Sequence, residues 1–341
     1  MLYGHGDDAR FQSRPIGDDF SSNIRPDGPP AGLLGHLRTR IDAVAHYPDA
    51  GARELAAKLA AINRIAPGQL LVTAGATAGI YLVAQTFRRK RSLIVTPTFS
   101  EYEDAARIHE HALDFAPRAE LRQTGDGSFA ADLVWLCEPN NPSGEILPRE
   151  QLLALIDARP ETVFVIDQSY AGFCAAPQLR ASDIAGRENL ILLHSFTKIL
   201  GIPGLRLGAI LSSPKLISRI AGGMQPWSVN ALALEAGAYY AARAHEFALP
   251  LDDLLANTRA LSKSISEIPC CAPKPTATNF FLVELAKGNA KALKQHLVKG
   301  HGILIRDASN FRGLTPQHIR IATRTPWQNH RLAEALRAWR P

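Results

Sequence analysis

Lys198 follows the apolar run Leu190–His194 and sits among hydroxyls and apolar residues, in the order Ser195-Phe196-Thr197-Lys198. A lysine drawn partly out of water gives up its proton more readily, and its neutral amine attacks carbonyl groups. Asp167 closes a second apolar run, Val163–Ile166, with Tyr170 three residues on. A carboxylate at the end of a buried strand needs a partner, and the N–H of a protonated pyridine is one. Asn141 lies in the turn Glu138-Pro139-Asn140-Asn141-Pro142-Ser143-Gly144, directly after Leu133–Cys137, and Phe99 follows Ser92–Thr96. The small residues Gly75, Ala76 and Thr77 follow Leu70–Thr73 and open a helical pattern. Bare N–H groups at such a strand-to-helix turn face an anion, typically a phosphate.

Each of these positions has an ordinary alternative. Lys198 could snorkel at the surface, Asp167 could cap a helix, Phe99 could fill a core, and the prolines of residues 139–142 could mark a turn alone. Together they form one set of complementary groups at successive strand ends. That set is what a pyridoxal 5'-phosphate site requires.

Such residues must be positioned by the elements around them. From about residue 70, short apolar runs alternate with amphipathic stretches, as in a mostly parallel sheet buried on both faces. The runs are Leu70–Thr73, Ser92–Thr96, Leu133–Cys137, Val163–Ile166, Leu190–His194 and Leu207–Leu211. Helical patterns over Thr77–Phe87, Tyr102–Glu110 and Arg149–Ala158 fill the gaps. The fold class is therefore α/β. A long Ala/Leu-rich helical region spans Val229–Ile268, and a smaller α/β pattern follows, with strands at Phe280–Glu284, Ile303–Arg306 and Ile319–Ala322. The expected organisation is an arm or lid over 1–31, a large domain over 32–235 and a small domain over 236–341. In open α/β sheets ligands bind beyond the carboxyl ends of the strands, where these residues fall.

Composition narrows the function class. The 341 residues carry a net charge of +6, with 46% hydrophobic and 21% charged residues. A basic balance suits an anionic metabolite. The densest basic run, Arg88-Arg89-Lys90-Arg91, follows an apolar helix and reads as its solvated end, and no basic stripe with interleaved aromatics points to nucleic acid. No apolar run approaches the ~20 residues of a membrane span. The four cysteines form no C-x-x-C pair, and the first residues lack a secretory pattern. Reduced thiols and a cytoplasmic location are expected. His109-Glu110-His111 is expected on an exposed helix without metal-ligand spacing, so no metal site is expected.

The ordered set Gly75-Ala76-Thr77, Asn141-Pro142-Ser143-Gly144, Asp167-x-x-Tyr170, Ser195-x-Thr197-Lys198 and Arg206 resembles the fold-type-I aminotransferase superfamily. A narrower resemblance covers Phe20-Ser21-Ser22-Asn23-Ile24, His46-Tyr47-Pro48, Ile202–Gly208, Gln225–Asn230, Ile303–Asp307 and Arg320-Ile321-Ala322. It is to the L-threonine-O-3-phosphate decarboxylase family of cobalamin synthesis. The histidinol-phosphate aminotransferase family shares many of these elements.

The resemblance implies a large mostly parallel α/β/α domain and a small C-terminal α/β domain. It implies that Lys198 carries pyridoxal phosphate as a Schiff base, that Asp167 pairs with the ring nitrogen, that Asn141 and Tyr170 reach the ring oxygen, and that Phe99 stacks on the ring. Gly75, Ala76, Thr77, Ser195, Thr197 and Arg206 form the phosphate site, which Tyr47 reaches from a second copy of the chain in a homodimer. Arg320 is the expected carboxylate clamp for a small phosphorylated amino-acid substrate, with Arg306, His5, Asn23 and Asn141 completing its site. Gln168 and the run Arg25-Pro26-Asp27-Gly28 depart from the family's usual residues, at positions expected to lie off the chemistry. A ligand-sensing regulator would need a DNA-binding domain, for which residues 1–30 are too few.

Overall fold

Strand faces explain the large sheet. Along each of its central strands, alternate residues enter two different cores, because successive side chains point to opposite faces. Val134, Leu136, Phe164, Ile166, Leu190 and Leu192 pack into one core, whereas Leu133, Trp135, Val165, Ile191 and Leu193 pack into the other. A strand buried on both faces has no polar side to show, so its sequence is continuously apolar.

The computed structural model describes residues 8–12, 14–123 and 130–340. An arm strand, β1 (Asp18–Asp19), precedes α1 (Ala31–Thr39) and α2 (Arg53–Asn63). The main α/β succession is β2 (Leu70–Thr73), α3 (Gly75–Thr86), β3 (Arg91–Thr96), α4 (Glu101–Ile108), β4 (Ala112–Pro117), α5 (Arg118–Gln123), β5 (Leu133–Cys137), α6 (Arg149–Asp157) and β6 (Val163–Asp167). It continues through β7 (Leu190–Ser195), α7 (Phe196–Ile199), β8 (Gly208–Ser212), α8 (Pro214–Ala221) and α9 (Ala231–Ala242). The seven strands β2 to β8 form one sheet in the order β2-β8-β7-β6-β5-β3-β4. Only β8 runs against its neighbours. The fold is thus a mostly parallel α/β/α layering.

The remaining elements are α10 (Leu251–Ser266), β9 (Cys271–Pro273), β10 (Phe280–Leu285), α11 (Ala290–His301), β11 (Ile303–Leu304), β12 (Arg306–Asp307), β13 (His318–Ala322) and α12 (Pro326–Ala338). An antiparallel sheet, β12-β13-β10-β9, carries a third core that includes Phe281, Leu293, Ile319, Ile321 and Leu332. The arm joins this unit: β1 pairs in parallel with β11, and Phe20 enters the third core.

Three local expectations are corrected, and one strand, β4, was not anticipated. The Val229–Ile268 stretch is two helices: α9 ends at Ala242, and α10 starts at Leu251 directly after Pro250, a residue suited to a helix start. The strand expected over Ile303–Arg306 is split into β11 and β12, whose partners are β1 and β13. The edge strand β4 has no continuous apolar run, since most of its residues face water at least in part. The helix expected over Tyr102–Glu110 stops at Ile108, so His111 is not on an exposed helix. It is buried, with its ring bonded to Ser92 Oγ (2.8 Å) and the Ala84 carbonyl (2.8 Å). The basic run at 88–91 is exposed at Arg88 and Arg89, and both meet Glu110. Among the described residues no helix is long and apolar enough to cross a membrane.

Candidate active site

The carboxyl ends of β2, β3, β5, β6 and β7 open on one crevice. Its inner part is lined by Ala76, Thr77, Phe99, Asn141, Asp167, Tyr170, Ser195, Thr197, Lys198 and Arg206. The outer part, a cavity of about 590 Å³, adds Asn23, Arg306 and Arg320 from the arm and the small sheet. Lys198 borders both parts. Of the remaining candidates, Tyr47 is 85% exposed and lies away from this crevice against Trp227, with ring centroids 5.4 Å apart. His5 lies outside the described residues.

Asp167 ends β6 at the floor. Its Oδ2 accepts from the Tyr102 hydroxyl at 2.8 Å, and its Oδ1 accepts from the Ser169 N–H (2.9 Å) and Oγ (2.6 Å). Burial nevertheless pushes its carboxyl above the usual range, because these donors and Lys198 offset the lost hydration only in part. A cationic N–H brought against Asp167 would relieve that residual cost. Tyr102 is itself fully enclosed, stacked on Trp135 at 5.8 Å. Tyr102 is not legible from the sequence as a floor residue, because it sits in an amphipathic helix and not at a strand tip; only its one-turn distance from Phe99 hints at the floor.

The opposite end of the inner crevice is built for an anion. Helix α3 begins at Gly75, and its first turn presents unpaired N–H groups. Gly75 has φ +83°, and a Cβ there would lie 2.6 Å from Arg206 Nη2. Glycine therefore lets a guanidinium lie against the helix start. Gly208 acts similarly: its Cβ would meet the Ala76 nitrogen at 2.5 Å, so β8 can press on the same turn. Ser195 and Thr197 face each other with hydroxyls 2.8 Å apart.

Arg306 and Arg320 stand directly opposite in the β12–β13 pair, and both are buried. Arg320 bonds Asn141 Oδ1 and the Ser21 carbonyl, and Arg306 donates to Asn310 Oδ1 at 2.8 Å. Burial, with Arg306 adding to it, lowers Arg320 to about 10, so it stays charged at neutral pH. Asn23 is buried beside them, with its amide against the Tyr170 hydroxyl. Arg324, another residue the sequence reading missed, grips the arm through the carbonyls of Asp19 and Ser22. Arg25 reaches the turn that carries Lys198: its backbone N–H donates to the Lys198 carbonyl at 3.2 Å, and its Nη1 to the Ile199 carbonyl at 3.2 Å. Gln168 bridges His194 and the Leu179 carbonyl.

Residues 35–336 match the model of the aminotransferase class I and II family. The chain belongs to that family. Its fold superposes with a TM-score of 0.91 on L-threonine-O-3-phosphate decarboxylase from Porphyromonas gingivalis, which is 40% identical over 94% of this chain and 98% of that one. Threonine-phosphate decarboxylase from Salmonella typhimurium is 30% identical over 94% of this chain and 90% of its own length. A histidinol-phosphate aminotransferase from Desulfitobacterium hafniense is 28% identical over 96% and 93%. The cofactor is pyridoxal 5'-phosphate. The crevice fits it, with a lysine between a buried carboxylate still short of cationic partners and a helix start backed by Arg206.

Proposed function

We propose that this chain decarboxylates L-threonine O-3-phosphate, releasing CO₂ and (R)-1-amino-2-propanol O-2-phosphate, as a step of cobalamin synthesis. The observation that carries the reading is the cross-strand pair Arg306 and Arg320. Two buried guanidiniums side by side repel each other and are poorly hydrated, so the site favours a ligand carrying two anionic groups. L-Threonine O-3-phosphate brings a carboxylate and a phosphate, one for each guanidinium; the pair would also hold the phosphate of histidinol phosphate or the two carboxylates of 2-oxoglutarate, so the choice between the readings leans on the decarboxylase relatives. The two decarboxylase relatives support the same reading. Aminotransfer to a histidinol-phosphate-type substrate is the second reading, supported by the relative of that name at 28% identity.

Bound pyridoxal phosphate supplies a protonated ring that takes up the electron pair left when the carboxylate departs. Lys198 would hold the cofactor covalently through Nζ. Asp167 holds the proton on the ring nitrogen, and Tyr102 and Ser169 hold Asp167. Asn141, Tyr170 and Phe99, which line the inner crevice, would hold the ring. The N–H groups of Ala76 and Thr77 in the turn opened by Gly75, with Ser195, Thr197 and Arg206, bind the cofactor phosphate; Tyr47 of a second copy completes that site in a homodimer. Arg320 grips the substrate carboxylate through a planar fork and sets its angle to the ring. Arg306, Asn23 and His5 bind the substrate phosphate. Lys198 Nζ then stands ready to deliver a proton to Cα.

The two arginines give separable outcomes. Arg320→Gln is expected to weaken L-threonine O-3-phosphate by about 2–5 kcal/mol, as for breaking a buried charge pair. It should leave 1-amino-2-propanol O-2-phosphate, which has no carboxylate, nearly unaffected. Arg306→Gln should weaken both. Calorimetric titration of the loaded enzyme measures this, and equal losses for both ligands in Arg320→Gln would remove Arg320 from the carboxylate.

A further inference from the structure

We propose that Arg25 is a positioning residue that couples the arm to the Lys198 turn, so that the pose of Lys198 depends on the arm being seated. The inference deepens the reading above and rests on Lys198 being the residue that bears the cofactor.

Residues 19–25 form a strap between the two halves of the site. At its start, Phe20 is stitched to the small unit on both sides: its N–H donates to the Leu304 carbonyl at 2.7 Å, and its carbonyl accepts from the Ala322 N–H at 2.9 Å. Arg324 holds the carbonyls of Asp19 and Ser22. Arg320 holds the carbonyl of Ser21, and the same guanidinium reaches Asn141 in the crevice. At its end the strap crosses to the large unit and lands on α7, a helix of only four residues, Phe196–Ile199. Arg25 caps the carbonyls of Lys198 and Ile199, one through its backbone and one through its side chain. Carbonyls at a helix end lack intrahelical partners, and a cation there is favourable.

Two further observations show a built contact. Arg25 is buried, its guanidinium lowered by that burial, with Asp27 opposing the shift. An arginine is costly to bury without a task, since a neutral side chain of similar length would fill the same space. Gly201 has φ +68°, and a Cβ there would lie 2.8 Å from both Gly28 C and Pro29 N. The turn after Lys198 is thus shaped to let the arm's backbone lie directly upon it.

The consequence is a chain of contacts running from the anion end of the cavity to Lys198. A ligand that draws on Arg320 acts on the residue that also holds Ser21, and Ser21 lies four residues before Arg25. Binding of the substrate therefore tightens the strap, and the strap fixes the turn from which Lys198 projects. Arg25 touches neither substrate nor cofactor in this scheme. It acts through the Ile199 carbonyl.

The test compares wild type with Arg25→Met, which keeps the packed stem and the backbone N–H to Lys198 but removes the guanidinium bond to the Ile199 carbonyl, and Arg25→Lys, which keeps a charge. In the cofactor-loaded enzyme without substrate, amide hydrogen exchange over residues 196–202 should rise in Arg25→Met by about tenfold and return toward wild type in Arg25→Lys. With L-threonine O-3-phosphate, kcat should fall about tenfold in Arg25→Met while KM changes less than threefold. Unchanged exchange and unchanged kcat would overturn the proposal. A rise in KM at constant kcat would also overturn it, since Arg25 would then be serving substrate binding. If the wild-type enzyme turns over neither candidate substrate, the functional reading falls. The exchange comparison still decides the role of Arg25.

Discussion

Asp167 shows how a single residue's environment sets its use. Its two oxygens take three donors, from Tyr102 and Ser169, yet burial keeps its carboxyl above the ordinary range. A residue in that state is primed for one more cationic partner. Tyr102 matters because it is the one aromatic hydroxyl in that set, and it is far too buried to ionise. Tyr102→Phe should therefore raise the Asp167 pKa further, shift the shared proton from the ring nitrogen toward the carboxylate and lower kcat about tenfold, in line with ~1.5–3 kcal/mol for a hydrogen bond to a charged group. Steady-state kinetics with the cofactor's absorbance read together check this. Full activity in the variant would mean that Ser169 suffices. At this scale the sequence was legible where function sits at strand tips, as for Lys198, Asn141 and Asp167. It was silent on Tyr102 and Arg324, and marked Arg25 only as a departure from the family pattern, because their contacts join segments far apart in the chain.

Among the elements, the central strands were readable because burial on both faces leaves an unbroken apolar run. Leu70–Thr73 and Leu133–Cys137 emerge with the bounds expected from the sequence. The direction of β8 was not readable, since an apolar run carries no sign of its orientation. The edge strand β4 was missed because it is held by pairing with β3 and is not itself buried. Strand β7 also carries a pH dependence. His194 is largely enclosed, bonded to Gln168, and burial lowers it to about 4. Its folded pKa lies below the unfolded value of ~6.5, so the unfolded chain binds a proton more readily. The stability it contributes is present above pH ~6.5 and is lost as pH falls from there toward 4, on the order of 1–3 kcal/mol. Thermal unfolding at pH 7 and pH 5 should show a falling Tm, and His194→Gln should flatten the difference. An identical pH dependence in the variant would assign the loss to other groups.

For the molecule as a whole, the crevice lies where the large sheet, the small sheet and the arm meet. One face of the chain leaves Ile41, Val44, Tyr47 and Trp227 exposed. Under the proposed homodimer, Tyr47 serves the site of the other copy. Tyr47→Ala and Lys198→Ala should each be nearly inactive alone. Mixed and reassociated, they should recover up to about a quarter of wild-type activity, because random pairing makes half the molecules hybrids with one intact site each. Measuring activity against mixing ratio checks it, and no recovery would place Tyr47 outside a shared site.

The central claim is that the two facing arginines hold a substrate whose carboxylate is the group that leaves. The direct measurement is CO₂ release by the cofactor-loaded protein from L-threonine O-3-phosphate with no keto acid present. The account predicts stoichiometric CO₂ and amino-propanol phosphate. Absence of CO₂, together with amino transfer from histidinol phosphate to 2-oxoglutarate, would contradict it.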